Sequence, residues 1–359
     1  MSFQPFIIHH SSFIIALKIL IVAPSWIGDT VLAQPMLQLL RARHAGVVLD
    51  ALAPRWTAPL LEHMPEVRRV IASPFAHGEL RLGDRRRLGR ELAREGYDQA
   101  ILLPNTFKSA LAPFFARIPL RTGYVGELRW GLLNDARKLD AERLPQMAER
   151  FAALALLPGD ALPRPLPVPV LRVEEAARRA TLEKLGLGAA RPLAALCPGA
   201  EYGPAKRWPA RYFGELARAL AAGGHEVCLV GSTNDAGIGA EIAQAAAGAC
   251  RNLCGTTTLG EAIHVLASAR LAVCNDSGLM HIAAALGKPL FALYGSSSPA
   301  FTPPLSTAAT VMKLDLPCSP CFERVCPLGH FNCMMQLTPD RVLAAIQSAS
   351  AVPTIHAKL

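Results

Sequence analysis

Short runs of consecutive apolar residues alternate along this chain with longer stretches in which apolar positions recur every three or four residues. In the first half, Lys18–Ala23, Val47–Ala53, Val67–Ala72 and Gln99–Leu103 read as buried strands, separated by helical stretches such as Thr30–Arg43 and Arg85–Glu95. In the second half the strands are Leu193–Cys197, Glu226–Val230, Leu271–Cys274 and Leu290–Tyr294, and the helices Ala210–Ala222, Ala236–Ala247, Leu259–Ser268 and Leu279–Leu286. Strands that are apolar throughout, alternating with helices, imply parallel sheets covered on both faces. The expected fold class is therefore α/β, with two Rossmann-like, doubly wound domains facing a central cleft.

Between the halves, five prolines in the twelve residues from Pro158 to Pro169 exclude a helix and mark a stiff linker. A chain of 359 residues exceeds the size at which one core usually stops growing. The expected organisation is an N-terminal domain over 17–157, a linker over 158–170 and a C-terminal domain over 171–359. Residues 1–16 read as an appendage, with the native start expected at Leu17. The apolar run from Phe13 to Pro24 is interrupted by Lys18 and is shorter than the roughly 20 residues a spanning helix needs. The first twelve residues lack a basic signal-peptide start, so a cytoplasmic location is expected. Of the 37 Lys and Arg against 28 Asp and Glu, residues 1–170 hold 21 against 15, which makes the first half the better candidate for an acidic partner.

Candidate chemistry sits where strands give way to helices. Asn275 to His281 joins a buried strand to a helix through Asp276, Ser277 and Gly278, a turn that leaves backbone N–H groups uncovered for phosphate. His281, four residues after Ser277, would lie one turn into that helix on the side of the site. The loop from Pro198 to Pro209 follows another strand and ends in Lys206 and Arg207 at a helix start. These are either a cationic clamp on a phosphate or simply solvated charges. In the first half, Asp29 follows Gly28 at the end of the first strand, as a helix N-cap or as a general base. The nearest dinucleotide fingerprint, from Gly231 to Gly239, lacks its third glycine, which argues against NAD.

Of nine cysteines, Cys197, Cys228, Cys250, Cys254 and Cys274 lie in or beside apolar segments and read as small buried hydrophobes. Cys318, Cys321, Cys326 and Cys333 form a C-x2-C-x4-C-x6-C group in a Pro- and Gly-containing loop, with His330 nearby. They read as reduced loop thiols or, as the weaker alternative, as a zinc site.

Taken together, Pro24 to Asp29, Asn105 to Ser109, Arg121 to Gly123, Pro198 to Pro209, Asn275 to His281 and the cysteine group resemble the heptosyltransferases of glycosyltransferase family 9, in their type II rather than type I form. The likeness runs from Lys18 to about Ser348. It implies a GT-B fold and an inverting transfer of L-glycero-D-manno-heptose from ADP-heptose to the first heptose of the lipopolysaccharide inner core. The acceptor implied is heptosyl-Kdo2-lipid A, reached by peripheral contact with the inner membrane. It implies Asp29 as catalytic base and Lys206 as phosphate ligand, with Asp276, Ser277, Gly278 and His281 holding the nucleotide-sugar. Asp235 and Thr258 fall in segments that approach the donor in relatives, while Asn105, Lys108, Arg121 and Arg129 would face the acceptor. No cofactor or catalytic metal, and no nucleic acid, is implied. The alternatives are another nucleotide-sugar glycosyltransferase, a nucleotide-sugar epimerase on the same fold, or a zinc-dependent interaction module.

Overall fold

The computed structural model describes residues 16–76, 78–188 and 190–351, so nearly all of the expected N-terminal appendage lies outside the described residues. Six strands, β1 (Lys18–Val22), β2 (Val48–Pro54), β3 (Val67–Ser73), β4 (Gln99–Leu102), β5 (Leu120–Tyr124) and β6 (Asp135–Arg137), form one sheet in the order β3-β2-β1-β4-β5-β6. Six more, β7 (Leu193–Cys197), β8 (Glu226–Leu229), β9 (Arg251–Asn252), β10 (Leu271–Asn275), β11 (Leu290–Leu293) and β12 (Ala309–Met312), form a second in the order β12-β11-β10-β7-β8-β9. Every strand pairing within both sheets is parallel. Counted from its own first strand, each sheet has the same winding order. Each also has one place where the order reverses, between β1 and β4 and between β7 and β10. Ligands of open α/β sheets bind outside the carboxyl ends of the strands at such a reversal.

The strands expected from apolar runs are present, with ends shifted by a residue or two. The helices Ala210–Ala222 and Leu259–Ser268 span the expected residues, whereas the helix expected over Thr30–Arg43 is two, Ile27–Leu32 and Gln34–Arg43. The break has a local cause. Pro35 has no N–H to continue the first ladder, but its fixed φ suits the first turn of a new helix.

Residues 156–174 carry no helix or strand. This segment is nonetheless fastened to its neighbours on both sides. The Gln34 amide donates to the Val170 carbonyl at 2.7 Å and accepts from its N–H at 3.0 Å, and the N–H of Leu171 donates to the Ala285 carbonyl at 3.0 Å. One buried apolar cluster runs through both sheets, joining Ile19, Ile21 and Ile101 to Ala195, Ala272 and Met280. A second lies on the far face of the second sheet. There Trp208 meets the Phe213 ring edge-on, with centroids 4.9 Å apart, and Val342 of the helix Pro339–Ala351 packs into the same cluster. No helix among the described residues is long and apolar enough to cross a membrane.

Candidate functional site

The turn after β1 brings Asp29 to the reversal of the first sheet. It sits in the first turn of the helix Ile27–Leu32, whose N-cap is Trp26. The cap alternative for Asp29 is therefore corrected. Trp26 supplies the capping carbonyl, which accepts the N–H and hydroxyl of Thr30 at 3.0 and 2.9 Å. Burial of the Asp29 carboxyl pushes its pKa up to about 6, and Lys206 is close enough to pull it partly back. A carboxyl with such a pKa is ionised at neutral pH yet basic enough to accept a proton.

The turn after β7 carries Lys206 to the matching place in the second sheet. Its Nζ lies 2.6 Å from Asp276 Oδ2, in a pair whose side chains are only 16% and 4% exposed, and 5.0 Å from the centre of the Tyr202 ring. Asn275, fully buried at the end of β10, holds the Lys206 loop in place. Its Oδ1 accepts the Trp208 N–H at 3.1 Å and its Nδ2 donates to the Pro198 carbonyl at 2.7 Å. The cysteine-bearing loop buttresses the other side. The Arg324 carbonyl accepts the Ala205 N–H at 3.0 Å, and Gly203 fits because a Cβ there would stand 2.4 Å from that oxygen.

Ser277 caps the helix Gly278–Ala285 with its backbone alone, so its buried hydroxyl has no partner. The hydroxyls of Ser296 and Ser297, just past β11, are likewise buried and unpaired. Buried polar atoms are nearly always satisfied, so three orphan hydroxyls at the ends of adjacent strands point to a polar ligand. His281 is 4% exposed and its Nδ1 has no partner. Burial pushes its pKa down to about 4, against the upward pull of Asp276, so the imidazole is neutral at physiological pH.

The two turns meet. A Cβ on Gly28 would lie 3.0 Å from His281 Cδ2, and one on Gly278 would lie 2.7 Å from the Cβ of Ile27. Glycines at both points let the helices Ile27–Leu32 and Gly278–Ala285 approach closely enough for Asp29 to feel Lys206.

The other sequence candidates are placed differently. The Asp235 carboxylate accepts the Ser232 N–H at 2.8 Å and hydroxyl at 2.7 Å. Thr258 caps the helix Leu259–Ser268 in a reciprocal box with Glu261. Arg129 is buried and donates to the carbonyls of Pro104 and Tyr124, while Arg121 donates to those of Leu132 and Ile118. These groups are engaged within the chain. Asn105 is exposed and Lys108 half-buried at the start of the helix Phe107–Phe115. Sequence reasoning passed over Trp26, 52% exposed, and Trp56, whose Nε1 donates to the Ser25 carbonyl at 2.8 Å. A tryptophan three residues before a candidate base was the available sequence signal for this exposed aromatic face.

Cys197, Cys228, Cys254 and Cys274 are buried as expected, while Cys250 is half-buried. Cys318, Cys321, Cys326 and Cys333 are free thiols, and among the described residues no three His, Cys, Asp or Glu side chains are grouped as metal ligands.

A sequence profile of glycosyltransferase family 9 (heptosyltransferase) matches residues 85–332. The chain is 47% identical to lipopolysaccharide heptosyltransferase 2 of Salmonella typhimurium, over 92% of this chain and 98% of that protein. It is 46% identical to the Escherichia coli K12 protein of the same name, over the same shares. The solved structure of E. coli ADP-heptose LPS heptosyltransferase II superposes with a TM-score of 0.84 at 45% identity, over 93% of this chain and 98% of that one. A glycosyltransferase family 9 structure from Veillonella parvula, at 19% identity and a TM-score of 0.79, shares the fold.

Proposed function

The chain belongs to glycosyltransferase family 9, the heptosyltransferases, and from that membership we propose that it transfers L-glycero-D-manno-heptose from ADP-heptose to the first heptose of the lipopolysaccharide inner core, with inversion. It is a glycosyltransferase of the two-domain GT-B type, with a heptosyltransferase role in lipopolysaccharide inner-core synthesis. The observation that carries the mechanistic reading is the Asp29 carboxyl, raised to about 6, facing a lysine presented by the other sheet.

In this reading, Asp29 takes the proton from the attacking acceptor hydroxyl as that oxygen bonds to the anomeric carbon. The bond from that carbon to the diphosphate oxygen breaks, and ADP leaves with its electron pair. Lys206 and the N–H groups at the start of the helix Gly278–Ala285 take up the charge, and the unpaired hydroxyls of Ser277, Ser296 and Ser297 are the available donors beside them. Bound diphosphate competes with Asp276 for Lys206, which makes Asp276 a positioning residue for the lysine. His281, neutral and packed on Gly28, sets the distance between base and leaving-group site. Trp26 and Trp56 offer apolar faces on which acceptor sugars can stack.

The division of labour gives the first domain, over 17–157, to the acceptor and the second, over 171–359, to the donor. The acceptor is lipid-linked, so the enzyme works in the cytoplasm in peripheral contact with the inner membrane. ADP release from purified protein given ADP-heptose, with and without a heptose-terminated core acceptor, tests the assignment. Release that requires the acceptor is expected, and release without it would indicate hydrolysis or rearrangement instead.

A further inference from the structure

The two most exposed large apolar side chains of the first half lie near the start of the helix Phe107–Phe115. Leu128 is 82% exposed and Trp130 69%, and Phe107, Leu80 and Leu82 are exposed beside them. Scattered single apolar residues on a surface are ordinary, but a gathered set with large side chains marks an interaction site.

Two buried arginines fix the loops that carry this set. Arg85, 7% exposed, donates to the carbonyls of Glu79, Leu80 and Lys108, which ties the turn bearing Leu80 to the first turn of the helix Phe107–Phe115. Arg129, 2% exposed, donates to the Pro104 carbonyl at 2.7 Å and to Asn105 Oδ1 at 3.3 Å. The Glu127 carboxylate accepts the Phe107 N–H at 2.8 Å, seating the second loop on the same helix start. Arg81, Glu127 and Leu128 all have positive φ, at 39°, 34° and 49°. Non-glycine residues keep that conformation only where their surroundings enforce it, and such strain collects at functional sites.

The charge around the set is positive. Residues 79–132 hold ten Lys and Arg against six Asp and Glu. Arg81 and Arg87 are exposed but share Asp84, at 2.6 and 2.7 Å, while Arg86 is exposed and Lys108 half-buried beside Phe107, neither with a carboxylate within salt-bridge distance among the described residues. Bulky apolar groups, a tryptophan and flanking cations together suit the interface of an anionic bilayer, where the rings and aliphatic chains enter the headgroup layer and the cations meet lipid phosphates.

We propose that Leu128 and Trp130, held out by the clamped loops and flanked by the cations Arg86 and Lys108, form the wedge by which this enzyme docks on an anionic membrane surface. The inference rests on the proposed lipid-linked acceptor and adds the face that meets the lipid. Asn105 lies at the foot of this wedge, where a Cβ on Gly126 would stand 2.8 Å from its carbonyl oxygen. Docking there would deliver a membrane-anchored core sugar to the end of β4, next to the turn that carries Asp29.

The test is co-sedimentation of the full chain with phosphatidylcholine vesicles with and without phosphatidylglycerol, an anionic lipid that gives the surface its negative potential, comparing wild type with the Leu128→Asp/Trp130→Asp double variant. Turnover is followed on vesicle-embedded heptosyl-Kdo2-lipid A and on a water-soluble, delipidated core acceptor. The expected result is salt-sensitive binding of wild type to anionic vesicles, weakened at least about tenfold in the double variant. Turnover on the embedded acceptor should fall in parallel, while turnover on the soluble acceptor stays at the wild-type rate. Brominated lipids should also quench wild-type fluorescence more than that of Trp130→Phe. Equal vesicle binding by wild type and the double variant, or equal loss of turnover on both acceptors, would overturn the docking role. Wild type that ignores vesicles but still uses the soluble acceptor would sink this inference alone. Wild type that binds vesicles but turns over neither acceptor would sink the proposed transfer instead.

Discussion

The turns after β1 and β7 occupy equivalent places in two sheets wound in the same order, yet they carry opposite charges in opposite states. Asp29 has no hydrogen-bonded partner holding it ionised, and burial raises its pKa to about 6. Lys206 is paired at 2.6 Å, and its loop is pinned by Asn275 on one side and by the Arg324 carbonyl on the other. On the proposed mechanism, two copies of one topology serve two needs. An acceptor hydroxyl needs a base that is free to take a proton, and a leaving diphosphate needs cations and donors that do not move during the reaction.

The strongest way to break this contrast is to neutralise its first member. Asp29→Asn is expected to lower turnover by roughly 10² to 10⁴-fold. Lys206→Ala comes next, with an expected loss of about 10² to 10³ in rate together with weaker ADP-heptose binding, read from kcat and from calorimetric titration. Unchanged donor affinity would remove Lys206 from the diphosphate site. Gly278→Ala forces a Cβ to within 2.7 Å of Ile27 and so pushes the two turns apart. The expected result is roughly a tenfold loss of kcat, since a displacement of an ångström can lower rates a hundredfold. Circular dichroism should remain that of the folded protein.

The ionisation of Asp29 sharpens the comparison through pH. Only the ionised carboxylate is a base, so kcat/KM should be full above neutrality and fall tenfold per pH unit below about 6. Stability carries the same signature with its own sign. A carboxyl raised by burial binds its proton more tightly folded than unfolded, so its contribution declines as pH rises from its ordinary value of 3.8 through about 6. Asp29→Asn should therefore raise Tm at pH 7 and leave it nearly unchanged at pH 3. The smallest effect expected is that of Thr258→Ala, a loss of about 1 kcal/mol of stability from a broken capping box with donor KM unaltered. A raised KM would return Thr258 to the donor site.

Much of the architecture was legible because buried parallel strands are apolar throughout and their helices keep a clear period. The strand Leu193–Cys197 and the helix Ala210–Ala222 stood out for that reason. The remaining strands of each sheet, β5, β6, β9 and β12, were not. Strand β6 carries Asp135 and Arg137, β9 is only Arg251–Asn252, and the mostly exposed helix Glu175–Leu185 buries Thr181 alone. Such segments are held by neighbours rather than by their own pattern.

At the site, the charged residues could be read from their positions after strands, and a family resemblance ranked them. What could not be read was how each side chain is used. The resemblance turns Arg121 and Arg129 toward an acceptor, but their guanidinium groups donate to backbone carbonyls. Asp235, which the resemblance places near the donor, accepts the Ser232 N–H and hydroxyl within the chain. The contact of Gly28 with His281 joins residues some 250 positions apart, and no local pattern encodes it.

The most direct test of the account is a calorimetric titration of Asp29→Asn protein with ADP-heptose beside its single-turnover rate. Donor affinity within about twofold of wild type, with chemistry slowed at least about a hundredfold, is the predicted result for a base that acts on the acceptor alone. Loss of donor binding in step with rate, or a rate that survives the substitution, would contradict the division of labour between the two turns.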